Sequence, residues 1–183
     1  MSIWRQSSAP RREAADAGCR YFVVEASSAG LEQERLAEID FRVGVFTNLT
    51  RDHLDLHGSQ EEYFRAKARL FSPEFSPLGV INADDTYGRL IADTASDVAG
   101  SEFRVVTFGV DDASDIEVTA GAHRYVWRGR RVEVPLGGDF NVANSLAALT
   151  TAVELGVDID VAVRGVSTLE VVPGRFEVVD TDE

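Results

Sequence analysis

Short apolar runs separated by helical stretches divide the first two thirds of the chain, and this alternation limits the fold more than any other feature. The runs are Tyr21–Glu25, Val43–Phe46, Leu78–Asn82 and Arg104–Phe108. Continuous apolar strands separated by helices are typical of βαβ units, which build a mostly parallel sheet with helices on its faces. The sequence therefore predicts an α/β fold.

Helices are predicted from periodicity and from residues that begin or end helices. Ser59 and Glu62 have the form of a capping box, so a helix that carries Lys67 should begin there and run to Phe71. Glycine favours the left-handed conformation that ends a helix. The other predicted helices are Arg11 to Gly18, Thr86 to Ala95, Asn141 to Leu155 (followed by Gly156) and Asp160 to Leu169.

The last third of the chain predicts a second kind of sheet. Polar and apolar residues alternate in Ile116–Thr119, Arg124–Trp127 and Arg131–Val134, and Gly129 lies between the last two segments. Alternation indicates strands with one exposed face, and a glycine between two such strands indicates a hairpin turn. We expect a small antiparallel extension beside the parallel sheet.

Composition restricts the size of the fold and its partners. The 183 residues, 44% of them hydrophobic, suffice for one domain with a buried core. With 18 basic and 31 acidic residues, the net charge of −13 repels nucleic acid and anionic membranes. Cys19 is the single cysteine, and no run reaches the roughly 18 apolar residues of a membrane-spanning helix. We expect a cytoplasmic protein without nucleic-acid or membrane partners.

Polar residues follow the predicted strands, where α/β proteins build their ligand sites. Glu25 ends an apolar strand, so its carboxylate either reaches solvent or meets a cation such as a metal ion. His53 lies between Asp52 and Asp55, which suits a metal-bound histidine and also an ordinary surface residue. The residue pattern alone leaves both alternatives open for each position.

Lysine and asparagine residues on the predicted helices also have structural explanations. Lys67 could be a solvated helix charge. Asn141 and Asn144 open the long helix, and asparagine is a favoured N-cap residue, which would account for one of the two. The second asparagine then requires another reason.

Together these segments resemble the central domain of the Mur ligase family. Within that family the resemblance is closest to the branch of UDP-N-acetylmuramyl-tripeptide synthetases, which add the third residue of the peptidoglycan precursor peptide. The motifs that carry it are Glu-Ala-Ser-Ser (25–28), Asn-Leu-Thr-Arg-Asp-His-Leu-Asp (48–55), Lys67, Gly-Asp-Phe-Asn-Val-Ala-Asn (138–144) and Pro-Gly-Arg (173–175). Two positions depart from the family pattern, since Ala29 stands where His is usual and Leu56 where Tyr is usual.

The resemblance implies a role for each candidate residue. Magnesium would be held by Glu25, His53 and Lys67, and His53 and Lys67 would be catalytic. Lys67 would carry a carbamate, whose anionic oxygens replace the ammonium as a metal ligand. The nucleotide-binding residues implied by the family are Asn48, Asn141, Asn144 and Arg175, and the substrate-binding residues are Ser27, Gln33 and Arg35.

The implied reaction is ATP-dependent amide formation on a peptidoglycan precursor. The D-Glu side-chain carboxylate of UDP-N-acetylmuramyl-L-Ala-D-Glu would be phosphorylated, and an amine of a diamino acid would attack the acyl phosphate. Catalysis would consist mainly of charge neutralisation and positioning.

The phosphate-binding sequence of the family, Gly-x-x-Gly-Lys-Thr/Ser, does not occur in the 183 residues. We therefore interpret residues 1–172 as part of a Mur ligase central, ATP-binding domain and residues 173–183 as the hinge and the start of a C-terminal domain. Such a chain is expected to be inactive by itself. Uncovered sheet edges would leave it weakly stable or prone to self-association.

Two other classes of function stay open. A non-catalytic module could bind a nucleotide or a partner protein through the same cleft. A divalent-metal hydrolase could be built on His53, Asp55 and His57, although hard oxygen ligands and the nucleotide context favour magnesium over zinc.

Overall fold

The computed structural model describes residues 8–33, 36, 39–49, 60–99 and 102–169. The helices are α1 (Ser8–Asp16), α2 (Ser28–Glu32), α3 (Gln60–Ala68), α4 (Thr86–Ala99), α5 (Phe140–Glu154) and α6 (Ile159–Ser167). The strands are β1 (Gly44–Phe46), β2 (Leu78–Asn82), β3 (Arg104–Phe108), β4 (Ala113–Val118), β5 (His123–Trp127) and β6 (Arg130–Val134). Among the described helices, none combines the length and apolar character that crossing a membrane requires.

The first sheet is parallel, with the order β1-β2-β3. Val80 of β2 lies opposite Val45 of β1 and Val106 of β3. All five residues of β2 are buried, as expected for the middle strand of a sheet that is covered on both faces. The predicted bounds of β2 and β3 are confirmed, and so is the α/β class.

The second sheet is antiparallel, with the order β4-β5-β6. Arg128 and Gly129 connect β5 to β6 with φ angles of +47° and +73°. Two consecutive positive φ angles define the turn that matches the twist of a tight hairpin, and glycine adopts the second without strain. The predicted antiparallel sheet and its hairpin are confirmed.

Two clusters of buried side chains lie on opposite faces of the parallel sheet, because successive residues of a strand point to opposite sides. Ile81 of β2 and Phe46 of β1 pack with Ile91 of α4 on one face. Val80 packs with Leu146 of α5 on the other face. The antiparallel sheet completes this second cluster with Tyr125, Trp127, Val132 and Val134.

Glycine ends α1 at the predicted position. Gly18 has a φ of +77°. Its N–H donates to the Ala15 carbonyl, and the Cys19 N–H donates to the Ala14 carbonyl. This pair of bonds satisfies carbonyl groups that the end of a helix leaves unpaired. Gly156 ends α5 in the same way, with a φ of +85°.

The prediction of a strand over Tyr21–Glu25 is wrong. Residues 21–27 form neither helix nor strand, and the Val23 side chain is 93% exposed. A strand needs hydrogen-bonded neighbours, and none of the described strands pairs with this segment. The segment therefore lacks the hydrogen-bonded neighbouring strands that would have buried its apolar side chains.

Other differences concern element ends. Helix α2 is a short helix that the sequence analysis did not predict. Helix α4 continues to Ala99, four residues beyond its predicted end, and β4 begins at Ala113 instead of Ile116. Local patterns specify the ends of elements less well than their existence, because helix ends fray and strand ends depend on pairing.

A polar cluster inside the second core joins β5 to α5. His123 is 1% exposed, its Nδ1 lies 2.6 Å from the Leu136 carbonyl oxygen, and its Nε2 lies 3.0 Å from Ser145 Oγ. The Tyr125 hydroxyl lies 2.7 Å from the same Ser145 Oγ. Because a carbonyl oxygen only accepts, His123 Nδ1 donates to Leu136. Ser145 Oγ also lies 2.9 Å from the Val142 carbonyl oxygen, so its single proton is shared between that carbonyl and His123 Nε2. Every buried polar side-chain atom of this cluster thus has a hydrogen-bond partner.

We predict that His123 makes the stability of the fold depend on pH. Burial lowers the pKa of His123, and the hydrogen bond to Leu136 offsets this only in part. As the pH falls below about 6.5, the unfolded chain binds a proton before the folded chain does, so the free energy of unfolding decreases. One such group contributes at most about 1.4 kcal/mol per pH unit. Urea unfolding at several pH values from 7.5 to 5.5 measures the free energy of unfolding, and His123→Gln should remove this pH dependence. If the free energy of unfolding varies with pH equally in both proteins, the prediction is refuted.

We also predict self-association through the exposed apolar segment. Tyr21, Phe22 and Val23 are 59%, 43% and 93% exposed, and association would bury apolar surface that water now contacts. Val23→Asp should shift the chain towards monomer in sedimentation velocity experiments at rising concentration. Val161→Asp, at a 47% exposed residue of α6, is the control with the same charge change and should behave as wild type. A wild-type chain that stays monomeric and melts cooperatively would disprove self-association.

Candidate functional site

An open cavity of about 750 Å³ lies beside β1 and collects residues from distant parts of the sequence. Its walls are the segment 20–28, β1 with the residues before and after it, and the inner face of α3. Four predicted site residues line it, namely Glu25, Ser27, Asn48 and Lys67. The structure therefore brings together most of the described candidates on one cavity.

Glu25 lies in the irregular segment between α1 and α2 and is exposed to the cavity. It is not the last residue of a buried strand, as the sequence analysis assumed, so its carboxylate stays hydrated without a compensating cation. Asp40 lines the same cavity. Hydrated carboxylates of this kind are accessible to a cation that arrives with a ligand.

Lys67 is half-buried on α3, one turn after Tyr63. The Lys67 Nζ lies 5.3 Å from the centroid of the Tyr63 ring, and Tyr63 is only 4% exposed. Residues four apart share one helix face, so the aromatic ring and the amine meet by helix geometry alone. The buried ring fixes where Lys67 enters the cavity.

Asn48 is exposed in the loop that follows β1. The residues on either side of it are held by side chains at the end of β2 and just after it. Asn82 Nδ2–H donates to the Thr47 carbonyl oxygen at 2.7 Å, and the Leu49 N–H donates to Asp85 Oδ2 at 3.3 Å. The first residues after β1 are thus fastened to the end of β2 and to Asp85.

Ser27 directly precedes α2, and its Oγ accepts a hydrogen bond from the Gly30 N–H at 3.1 Å. This contact is the ordinary role of an N-cap serine, and the hydroxyl proton can still be donated to a ligand in the cavity. Gln33 follows α2, is exposed, and does not line the cavity. Of these two predicted substrate-binding residues, Ser27 therefore lines the cavity and Gln33 does not.

Asn141 and Asn144 form a chain of hydrogen bonds at the start of α5. Asn141 Nδ2–H donates to the Gly137 carbonyl oxygen at 2.6 Å, and Asn144 Nδ2–H donates to Asn141 Oδ1 at 3.0 Å. The N-cap residue of α5 is Asp139, whose side chain makes no capping bond. The alternative explanation, that one of the asparagines caps α5, therefore does not hold, and the nucleotide-binding role stays a prediction. Gly137 passes so close to Ala120 that an added Cβ would lie 1.9 Å from the Ala120 carbonyl oxygen.

Helix α5 runs antiparallel to β3, because Glu154 at its end pairs with Arg104 at the beginning of β3. The first turn of α5 therefore lies towards the carboxyl end of the strands, as Asn48 does. Neither Asn141 nor Asn144 lines the cavity beside β1. The three asparagines share an edge of the domain but do not share that cavity.

Three predicted site residues, Arg35, His53 and Arg175, lie outside the described residues, as do Asp55 and His57 of the hydrolase alternative. Within the described part of the chain, no group of three or more His, Cys, Asp or Glu side chains could hold a metal ion by itself. Magnesium is commonly bound by one or two carboxylates together with phosphate oxygens and water. Glu25 fits that limited role, whereas a structural zinc site would need four protein ligands.

Three residues of the site were missed by the sequence analysis. Tyr63 could have been found from its spacing of four residues before Lys67. Asn82 is the last residue of a buried strand and Asp85 comes three residues later, which is the region where α/β proteins place polar site residues. No local signal, however, indicates that their partners are Thr47 and Leu49.

An α/β domain with a cavity beside a parallel sheet, lined by apolar and charged side chains, has an architecture in which ligand sites are commonly built. The model of the Mur ligase middle domain matches residues 9–152. The chain belongs to the Mur ligase family, and the part matched is its middle domain.

Relatives with the name UDP-N-acetylmuramoyl-L-alanyl-D-glutamate–2,6-diaminopimelate ligase are similar to nearly all of the chain. The protein of Gloeobacter violaceus is 42% identical over 165 residues, which are 88% of this chain and 34% of that protein. The protein of Streptomyces coelicolor is 38% identical over 175 residues, which are 89% of this chain and 33% of that protein. The chain thus spans about a third of the length of these relatives.

Solved structures show the same fold. A structure of UDP-N-acetylmuramoyl-L-alanyl-D-glutamate–2,6-diaminopimelate ligase superimposes with a TM-score of 0.82 at 34% identity, covering 97% of this chain and 38% of that one. A MurF structure from Acinetobacter baumannii gives a TM-score of 0.70 at 22% identity, covering 81% of this chain and 33% of that one. The second likeness concerns the fold alone.

Proposed function

We propose that this chain is the central, ATP-binding part of a cytoplasmic ligase that adds a diamino acid to UDP-N-acetylmuramyl-L-Ala-D-Glu. Residues 1–172 would form that part, and residues 173–183 would form the hinge towards a further domain. The observation that carries the proposal is the cavity that unites Glu25, Ser27, Asn48 and Lys67 in a member of the Mur ligase family.

Electrostatics supports a ligand that brings its own cation. The chain has a net charge of −13, and Glu25 and Asp40 add negative charge at the cavity itself. Arg20 and Arg42 also line the cavity. ATP carries several negative charges, so its binding there should require magnesium, which neutralises phosphate oxygens when bound.

In this proposal Glu25 and Lys67 hold the metal together with His53, and Lys67 does so as a carbamate. Carbamate formation requires the neutral amine, and it gives the side chain two anionic oxygens. The Lys67 Nζ lies 5.3 Å from the centroid of the buried Tyr63 ring, a contact that attracts the ammonium but not an anionic carbamate. The carbamate would therefore be held by the metal ion and not by the ring.

The remaining residues would bind substrates. Asn48, with Asn141, Asn144 and Arg175, would bind the nucleotide, and side-chain amides can both donate to and accept from an adenine edge. Ser27 would donate its hydroxyl proton to the UDP-muramyl dipeptide, with Gln33 and Arg35 as further contacts. Arg35 suits a carboxylate because a guanidinium forms two parallel hydrogen bonds with it.

We predict that Lys67 is essential for ligation by the complete protein as its gene encodes it. Lys67→Met should lower the rate of tripeptide formation from ATP, UDP-N-acetylmuramyl-L-Ala-D-Glu and diaminopimelate by at least about 100-fold, because a metal ligand is lost. Arg65→Met is the matched control, since Arg65 lies on the same helix, is exposed and pairs only with Glu61 among the described residues. Equal activity of the two variants would refute the role of Lys67.

The 183 residues by themselves should give no tripeptide and should bind magnesium–ATP weakly, because they contain no Gly-x-x-Gly-Lys-Thr/Ser sequence. Titration calorimetry measures the affinity. Tight nucleotide binding without ligation would instead favour the non-catalytic binding module.

We predict a carbamate on Lys67. Incubation with ¹³C-labelled bicarbonate should produce a carbamate carbonyl signal in the carbon NMR spectrum of the wild-type protein and of Arg65→Met. The signal should be absent from Lys67→Met, and its persistence there would assign the carbamate to another amine.

A further inference from the structure

The last residue of β2 and the three that follow it, residues 82–85, lie between the ends of the two neighbouring strands and hydrogen-bond to residues after both. Towards β1, Asn82 and Asp85 bind the backbone at Thr47 and Leu49. Towards β3, Asp84 Oδ2 accepts a hydrogen bond from the Val110 N–H at 2.7 Å. The adjacent residues Asp84 and Asp85 thus bind two different loops, Asp84 the loop after β3 and Asp85 the loop after β1.

The two bonds towards β1 enclose Asn48. The Thr47 carbonyl and the Leu49 N–H belong to the residues directly before and after it, and Leu49 is buried. Asn48 itself is exposed and lines the cavity. The backbone of Asn48 is therefore held on both sides while its side chain is presented to solvent.

Asp85 is itself rigidly placed. Its Oδ1 accepts hydrogen bonds from the Tyr87 N–H at 2.8 Å and the Gly88 N–H at 3.1 Å, which makes it the N-cap of α4. At Gly88 an added Cβ would lie 1.9 Å from the Asn82 carbonyl oxygen, so α4 meets the end of β2 in close contact. Capping uses Oδ1 alone, which leaves Oδ2 for the loop after β1.

We propose that Asp85 is a positioning residue for nucleotide recognition: its Oδ2 holds the Leu49 N–H and thereby sets the direction in which Asn48 meets the nucleotide. The inference rests on the proposed function, in which Asn48 contacts the adenine nucleotide. Asn82 supports the same loop from the other side. Asp85 touches neither nucleotide nor metal in this account.

Asp85→Asn separates positioning from helix capping. The amide oxygen can keep the bonds to Tyr87 and Gly88, whereas the NH₂ group that replaces Oδ2 cannot accept from the Leu49 N–H. Asp84→Asn is the matched control. It removes the same charge from the adjacent residue, while its amide oxygen can still accept from the Val110 N–H in the loop after β3.

The test measures binding of magnesium–ATP and of magnesium–tripolyphosphate, which lacks the nucleoside, to the complete protein. Asp85→Asn should weaken ATP binding by roughly five- to tenfold, the effect of one lost hydrogen bond, and leave tripolyphosphate binding unchanged. Asp84→Asn should leave both affinities within about twofold of wild type. A purely structural role for Asp85 would weaken both ligands equally and would overturn the proposal.

A double-mutant cycle with Asn48→Ala separates this inference from the proposed function. If Asp85 acts through Asn48, Asp85→Asn has no further effect on ATP binding in the Asn48→Ala background. Additive losses would overturn the positioning role and leave nucleotide binding by Asn48 intact. If Asn48→Ala binds ATP like wild type, or if the wild-type protein binds no ATP, the proposed function is refuted. This inference is then refuted with it.

Amide hydrogen exchange tests the hydrogen bond without any nucleotide. The Leu49 amide should exchange faster in Asp85→Asn than in wild type, because Asp85 uses both of its oxygens. The Val110 amide should exchange at the wild-type rate in Asp84→Asn, because one amide oxygen suffices for that bond. Unchanged exchange at Leu49 in Asp85→Asn would overturn the proposal whatever the binding data show.

Discussion

The pairing of β2 with a strand on each side is the interaction on which the rest of this structure depends. All five residues of β2 are buried, and its side chains enter both hydrophobic clusters. Its parallel pairing with β1 and β3 brings the carboxyl ends of all three strands to one edge. The loops that carry Asn48 and Val110 are therefore within reach of the side chains at the end of β2.

The cavity lies on the other side of β1, where no described strand continues the sheet. Its lining combines an exposed apolar segment with charged side chains of both signs, including Glu25, Arg42 and Lys67. Apolar and charged groups at one opening suit a ligand with an apolar or aromatic part and a charged part. In a chain with a net charge of −13, an anionic ligand would have to rely on these few cations and on metal.

Local patterns predicted the elements whose signals are complete within a few residues. Strands β2 and β3 have their predicted bounds, and Gly18 and Gly156 end helices as expected. The strand over Tyr21–Glu25 was wrong because strand formation depends on partners that local sequence does not report. The alternative that one of the asparagines caps α5 does not hold, because the helix begins at Phe140 and the Asn141 side chain bonds to the Gly137 carbonyl instead.

The sequence by itself determined the α/β class, the second, antiparallel sheet and the motifs that place the chain in its family, because periodicity and motif spacing are local properties. Only the tertiary structure decided which motif residues meet. Glu25, Ser27, Asn48 and Lys67 share a cavity, whereas Gln33, Asn141 and Asn144 do not line it. The physical reason is that residues tens of positions apart come together through strand pairing and packing, which depend on the whole chain at once.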